Sequence, residues 1–207
     1  MELSVSILNA KNRINTTKIL NKTDINYLHI DVMDGKFVSQ KTFLPEEIIE
    51  ISKISEKKLD VHLMVEDPMQ YIEEVKYLPN IEYITIHLEI NKDIKEILSK
   101  IKSYGFKTGL SIKPNTDINK LLPYLKDLDL ILLMTVEPGL GGQQFIPSSK
   151  DRLKELKQLS NNNILLEVDG GINNNTIKEV SEANIAVVGS YITSSEDIEQ
   201  KIDSLLV

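Results

Sequence analysis

Eight short runs rich in β-branched and aliphatic residues punctuate the chain, at 3–8, 27–32, 59–65, 83–88, 107–112, 128–136, 164–168 and 185–189, and a longer polar stretch follows each. Those stretches carry apolar residues at helical spacing, as in Ile48, Ile49, Ile51 and Ile54, or Ile94, Ile97, Leu98 and Ile101. Regular alternation of strand and helix leaves little topological freedom, because sequential strands then lie parallel and right-handed crossovers place the helices on the sheet. An open doubly wound sheet satisfies the same alternation, but eight consecutive units point to a closed barrel. The expected fold class is therefore α/β, a (β/α)8 barrel.

A chain of 207 residues with 41% apolar content can form one sizeable core and is cramped for two. Residues 1–207 are accordingly read as a single barrel domain. Barrels of this kind run to about 250 residues, so the loops must be compact. Helix starts are expected at Asp67-Pro68 for the third helix, Asn115-Thr116 for the fifth and Ser148-Ser149 for the sixth. The formal charge of −7 argues against nucleic acid or an anionic membrane as a partner, since both need a basic surface. The apolar run around Leu130 to Met134 is far shorter than the roughly 20 residues of a spanning helix. Met1 leads straight into the first strand run, so neither a signal peptide nor an anchor is expected. The lack of cysteine excludes disulfides and thiolate ligands and suits a cytoplasmic protein; a bound metal would have to use His, Asp or Glu.

In a (β/α)8 barrel the chemistry sits at the C-terminal ends of the strands, so the last residues of each run carry the most weight. His29 and Asp31 end the second run, His62 the third, His87 the fourth, and Asp169 follows the seventh. A strand repeats every two residues, so His29 and Asp31 share a face, as do His62 and Met64. Two imidazoles and two carboxylates form a four-donor set suited to Zn²⁺, Fe²⁺, Mn²⁺ or Co²⁺. Each residue alone also has an ordinary structural role: a strand histidine as a hydrogen-bonded core residue, and Asp31 as the start of a turn at Met33-Asp34-Gly35. His87 keeps that ordinary role, with Glu89 as its hydrogen-bond partner and no metal function. Glycines gather at three later strand ends, in Gly139-Leu140-Gly141-Gly142, Gly170-Gly171 and Gly189-Ser190. They permit tight turns, and they also let backbone amides approach an anion without any basic side chain. Met33, Met64 and Met134 fall at or just beyond strand ends, where they can fill core space or wall off water.

The segments Ser6-Ile7-Leu8, 29–38 (HIDVMDGKFV), 60–65 (DVHLMV), 134–143 (MTVEPGLGGQ) and 167–172 (EVDGGI) resemble the ribulose-phosphate 3-epimerase family, in the family's order and over nearly the whole chain. The resemblance implies a TIM barrel of the ribulose-phosphate-binding type. It also implies an isomerase of the pentose phosphate pathway that epimerises D-ribulose 5-phosphate to D-xylulose 5-phosphate through an ene-diolate. By the same resemblance His29, Asp31, His62 and Asp169 bind one divalent ion per chain, and Asp31 and Asp169 act as acid and base. Ser6, His62 and Asp169 would contact the sugar, and Met33, Met64 and Met134 would line the reacting carbon. Gly139, Leu140, Gly141, Gly142, Gly170, Gly171, Gly189 and Ser190 would hold the phosphate. The expected partners are a small sugar phosphate and further copies of the chain in a homo-oligomer.

Some positions depart from the family pattern. Ser39 and Leu44 stand where the family usually has proline and glycine, which leaves the shape of that loop open. Residues 23–26 (TDIN) and 183–185 (ANI) stand where glycines commonly end helices before the second and eighth strands. Two other functions fit the same residues: 3-epimerisation of a hexulose 6-phosphate such as allulose 6-phosphate, and a non-catalytic phosphate-binding barrel. The second expects a missing acid/base residue or metal ligand, and none is missing.

Overall fold

A computed structural model of the chain describes residues 1–160 and 163–205. Positions 161, 162, 206 and 207 of the expected 1–207 unit lie outside the described residues. Eight parallel strands close into a barrel in sequence order: β1 (Glu2–Ser6), β2 (Tyr27–Met33), β3 (Lys58–Met64), β4 (Ile81–His87), β5 (Lys107–Ile112), β6 (Leu130–Met134), β7 (Leu165–Asp169) and β8 (Ile185–Val188). β8 pairs back onto β1, so no strand edge is left unpaired. The helices are α1 (Arg13–Leu20), α2 (Pro45–Ile54), α3 (Pro68–Val75), α4 (Ile94–Ser103), α5 (Ser149–Leu159), α6 (Ser190–Thr193) and α7 (Ile198–Asp203).

The principal core lies between the outward faces of the strands and the inward stripes of the helices. There Val5, Ile30, Val61, Ile84 and Leu133 meet Leu20, Ile48, Ile72, Ile97 and Leu153. The barrel interior is divided. Inward positions on β4, β6 and β8 supply Tyr83, Leu130, Leu132 and Ile185, a smaller apolar cluster. The inward positions of β2, β3 and β7 carry His29, Asp31, Asp60, His62, Glu167 and Asp169 instead.

Two crossovers differ from the expected α-helices. After β5 the chain forms 3₁₀ turns at Ile118–Leu121 and Leu125–Asp127, because Pro123 lacks the N–H that a continuing helix needs. After β7 only the turn Ile177–Val180 forms. There the Asn173 side chain accepts from the Asn175 and Thr176 amides and so competes with helical bonding.

The expected caps are also corrected. Asp117, not Asn115-Thr116, caps the first 3₁₀ turn by accepting from the Asn119 amide. Pro68 does open α3, but Asp67 makes no capping bond and pairs with Lys92 at 3.2 Å. Ser148 makes no side-chain cap either.

At the opposite end from the site, polar residues staple neighbouring strands. Asn26 accepts from Leu3 N–H through its side chain and donates its own N–H to Leu3 O. Asn184 does the same to Leu166, and Asp129 to Thr108. These residues precede β2, β8 and β6. At two of them the staple occupies the segment where the sequence departs from helix-ending glycines.

Candidate active site and metal centre

Strand register builds the site. Asp31 pairs with His62 and His29 with Asp60 across β2 and β3, while Asp169 ends β7 opposite Met134 of β6. All face inward, and the rings of His29 and His62 are fully buried. His29 Nε2 lies 3.3 Å from Asp31 Oδ1, and His62 Nδ1 lies 3.5 Å from the same oxygen and 3.7 Å from Asp169 Oδ2. One donor atom from each of the four residues lies within 4.8 Å of all the others.

These separations test the metal directly. Four ligands at about 2.0–2.1 Å from a tetrahedral centre are about 3.3 Å from one another. Among the described residues, His29 Nε2 and His62 Nδ1 are buried without a hydrogen-bond partner, although each faces carboxylate oxygen. Buried imidazole nitrogens are seldom left so, and a cation between the four donors would satisfy both. The cluster could therefore hold a metal ion.

The supports behind the donors are as specific. His29 Nδ1 lies 2.6 Å from Asp60 Oδ2, which also accepts from Ser4 Oγ at 2.8 Å. His62 turns Nε2 to His87 Nε2 at 2.9 Å, and His87 Nδ1 reaches Glu89 Oε2 at 3.1 Å. Ser6, expected at the sugar, donates to Asp31 Oδ2 at 2.6 Å and so orients that carboxylate. Glu167 is fully buried, and neither of its oxygens accepts a bond among the described residues. Burial and then the Asp60 charge push its carboxyl well above the usual range, the direction that favours the neutral acid.

The two carboxylates that face the cavity are pushed apart. Burial works to raise Asp31, but the charge of His29 beside it, with His62 close by, outweighs this and holds Asp31 below the usual carboxylate range. Burial followed by the Asp31 charge pushes Asp169 up to about 7. The two groups are thus displaced in opposite directions, the pattern of a base paired with an acid.

Above the donors lies a cavity of about 500 Å³. Its wall includes Ser6, Asp31, Asp169, Met33, Met64, Met134, Gly139, Leu140, Gly141, Gly142, Gly170, Gly171, Gly189 and Ser190. The structure thus gathers nearly every expected sugar- and phosphate-contacting residue around one space. The exception is His62, which lies beneath the wall because its Nε2 edge is turned toward His87. Asn9, Gln143, Asn173, Asn174, Asn175 and Tyr191 also line the cavity and were not expected. Asn9 follows the Ser6-Ile7-Leu8 motif directly, and that adjacency was its only available signal.

The glycines serve more than open space. A Cβ on Gly171 would lie 2.4 Å from Phe145 N, and one on Gly170 would lie 2.4 Å from a Val136 methyl. Both have positive φ, at 68° and 123°. The late loops therefore fit against each other only as glycine. Among the described residues no Lys or Arg lines the cavity, and no backbone acceptor takes the N–H of Gly141, Gly142 or Gly171.

The loop after β2 is folded down on itself. Asp34 accepts from the amides of Lys36, Phe37 and Glu66, and Asp34 bridges Lys41. Thr42 Oγ1 accepts from Met33 N–H and donates to Asp31 O, which anchors the loop at the site. Leu44, half-exposed, precedes Pro45 of α2, and Glu47 reaches back to its amide.

Barrel, donor cluster and glycine-walled cavity define the class: a (β/α)8-barrel enzyme working at the C-terminal ends of its strands. The chain matches the model of the ribulose-phosphate 3 epimerase family over residues 2–193. It is 37% identical to a ribulose-phosphate 3-epimerase of Helicobacter pylori strain J99, covering 99% of this chain and 96% of that one. Identity is 39% with the Aquifex aeolicus ribulose-phosphate 3-epimerase, over 87% of this chain and 84% of that one. The barrel also resembles 3-hexulose-6-phosphate synthase from Salmonella typhimurium, with TM-score 0.69 and 17% identity over 99% and 96% of the two chains, a likeness of fold alone. The chain belongs to the ribulose-phosphate 3-epimerase family.

Proposed function

We propose that the chain interconverts D-ribulose 5-phosphate and D-xylulose 5-phosphate, with one divalent ion held by His29, Asp31, His62 and Asp169. The observation that carries this reading is the pair of unequal carboxylates, Asp31 and Asp169, on the wall of one cavity beside two imidazole nitrogens without partners. Inverting C3 of a 2-ketose requires a base on one face of the carbon and an acid on the other.

In one direction an ionised carboxylate takes the C3 proton, leaving an ene-diolate, and the protonated partner returns a proton to the opposite face. The two residues exchange roles in the reverse direction. Ser6 holds Asp31 in orientation from its second oxygen. A divalent ion, when bound, supplies Lewis-acid stabilisation of the negative charge that develops on the substrate oxygens. The donor set suits Zn²⁺, Fe²⁺, Mn²⁺ or Co²⁺. Met33, Met64 and Met134 form an apolar wall that excludes water from the carbanionic centre.

The phosphate is held by backbone amides of the Gly139–Gly142 and Gly170–Gly171 loops with Gly189 and Ser190, a reading supported by the uncommitted amides and the absence of cationic side chains on the described wall. A cytoplasmic homo-oligomer belongs to the same reading. Among the described residues no helix is long and apolar enough to cross a membrane.

The test is an assay of purified protein with ribulose 5-phosphate and, in parallel, allulose 6-phosphate, before and after chelation and metal return. Epimerisation of the pentulose, lost on chelation and restored by metal, is expected. Preference for the hexulose would move the substrate assignment, and full activity in demonstrably metal-free protein would remove the metal.

A further inference from the structure

The direction of the hydrogen bonds behind His62 can be read from the far end. A carboxylate only accepts, so the His87 nitrogen facing Glu89 Oε2, Nδ1, carries the proton. The other Glu89 oxygen is committed as an acceptor to Lys113 N–H at 2.8 Å and to the Thr116 hydroxyl, so the group is fixed in place. A neutral His87 protonated at Nδ1 presents a lone pair at Nε2. His62 Nε2, 2.9 Å away, must then donate, and a neutral His62 protonated at Nε2 leaves its own lone pair at Nδ1. That is the atom facing Asp31 Oδ1 and Asp169 Oδ2. The ring centroids of His62 and His87 are 5.0 Å apart with planes 28° apart, so the nitrogens meet edge to edge. Phe37 covers His87 at 4.7 Å between centroids, and Lys113 Nζ sits 4.1 Å over the Phe37 ring, so the His87 end of the chain is buried.

We propose that Glu89 and His87 are positioning residues that lock His62 in its Nε2–H tautomer and so aim Nδ1 into the metal centre. The inference rests on the metal reading of the site. It assigns a task to two residues that neither face the cavity nor supply a donor atom to the cluster. His29 is served by a carboxylate directly, through Asp60, whereas His62 is served by one at second hand.

The chain of protons makes an isosteric change decisive. In Glu89→Gln the amide oxygen must stay with Lys113 N–H, which turns the NH₂ toward His87 Nδ1. His87 then becomes an acceptor there and carries its proton on Nε2. That proton faces His62 and drives it to the Nδ1–H tautomer, which cannot ligate. Loss of a support of this kind typically weakens metal binding by about 10–100-fold.

The experiment measures Zn²⁺ affinity by chelator competition for wild type, E89Q, H87F and H87Q, with circular dichroism as the check on folding. It also determines the His62 tautomer in metal-free wild type by ¹⁵N NMR, where no bound ion imposes it. Expected are a 10–100-fold loss in E89Q and H87F, and a smaller loss in H87Q, whose amide can accept from His62 and donate to Glu89. Wild-type His62 should carry its proton on Nε2. Folded E89Q with wild-type affinity, or a wild-type His62 protonated on Nδ1, would overturn the proposal. The NMR result decides even if every variant misfolds. Failure of the wild type itself to bind Zn²⁺ or another of the candidate ions would instead overturn the metal reading.

Discussion

The two halves of the site are made of different material. On β2 and β3 the donors are side chains within strands, fully buried and bonded to further side chains, so the position of a proton matters as much as the position of an atom. On the loops after β6, β7 and β8 the wall is largely backbone, and function there depends on what is absent from each Cα. Strands fix distances to fractions of an ångström, as a metal requires. Glycine loops instead offer N–H groups to an anion that needs neutralisation but not one rigid geometry. The first half should therefore be sensitive to isosteric changes that move a proton, and the second to added methyl groups that move none.

The largest effect belongs to the carboxylates. Asp31→Asn or Asp169→Asn keeps the size and removes proton transfer, and kcat should fall by about 10²–10⁴-fold in protein whose metal content is verified. A drop fully explained by lost metal would assign the residue to ligation alone.

The next expected effect probes the glycine half. Gly171→Ala places a methyl group 2.4 Å from Phe145 N, at a φ of 68° that L residues rarely adopt. It should raise KM for the phosphorylated ketose strongly and cost about 1–3 kcal/mol of stability by thermal or urea unfolding. Gly189→Ala meets only Ser6, at 3.4 Å from its Cβ, 3.6 Å from its Oγ and 3.9 Å from its carbonyl oxygen, all ordinary contact distances, and should change both less than Gly171→Ala does. Equal effects from the two would contradict the loop-fitting role of Gly171.

The pH dependence of metal binding tests the strand half. Asp169, raised to about 7, must lose its proton to ligate, so affinity should rise with pH up to about 7 and then level with respect to this group. Below that point the loss is about tenfold per pH unit for the proton involved. Calorimetry or chelator competition from pH 5.5 to 8.5 reads it, and a flat profile would place Asp169 outside the ligand set.

The smallest effect on activity is expected at the far end of the barrel. Asn26→Ala leaves the Leu3 amide without its side-chain acceptor, and Asn184→Ala does the same to the Leu166 amide. Each should cost about 1–3 kcal/mol of stability while leaving kcat/KM unchanged.

The unequal legibility of the two halves in the sequence has the same physical origin. Strand period two places His29 with Asp31 and His62 with Met64, and barrel closure then brings those faces together, so the donor cluster was readable from spacing. The same period reaches one step deeper, to Asp60 and Glu167, but a buried acid on a strand carries no sign of its partner until register is known. His87 lies outside the four-donor cluster, and its bond to His62 depends on ring orientation, which spacing does not encode. Glycine clusters announced tight late loops open to an anion's approach without revealing that Gly170 and Gly171 also fit against Val136 and Phe145. The crossovers after β5 and β7 read as helices because apolar spacing outweighed Pro123 and the Asn173–Asn175 run.

The most direct measurement is solvent deuterium exchange at C3, followed by NMR from each epimer separately, with metal-loaded wild type and Asp169→Asn. Two carboxylates addressing opposite faces should let the wild type interconvert the epimers with deuterium entering C3. The variant should lose epimerisation by at least about 10²-fold while still exchanging the C3 proton of one epimer, because Asp31 can remove and return it on a single face. Near-normal epimerisation by metal-loaded Asp169→Asn would show that Asp31 and Asp169 are not the acid/base pair.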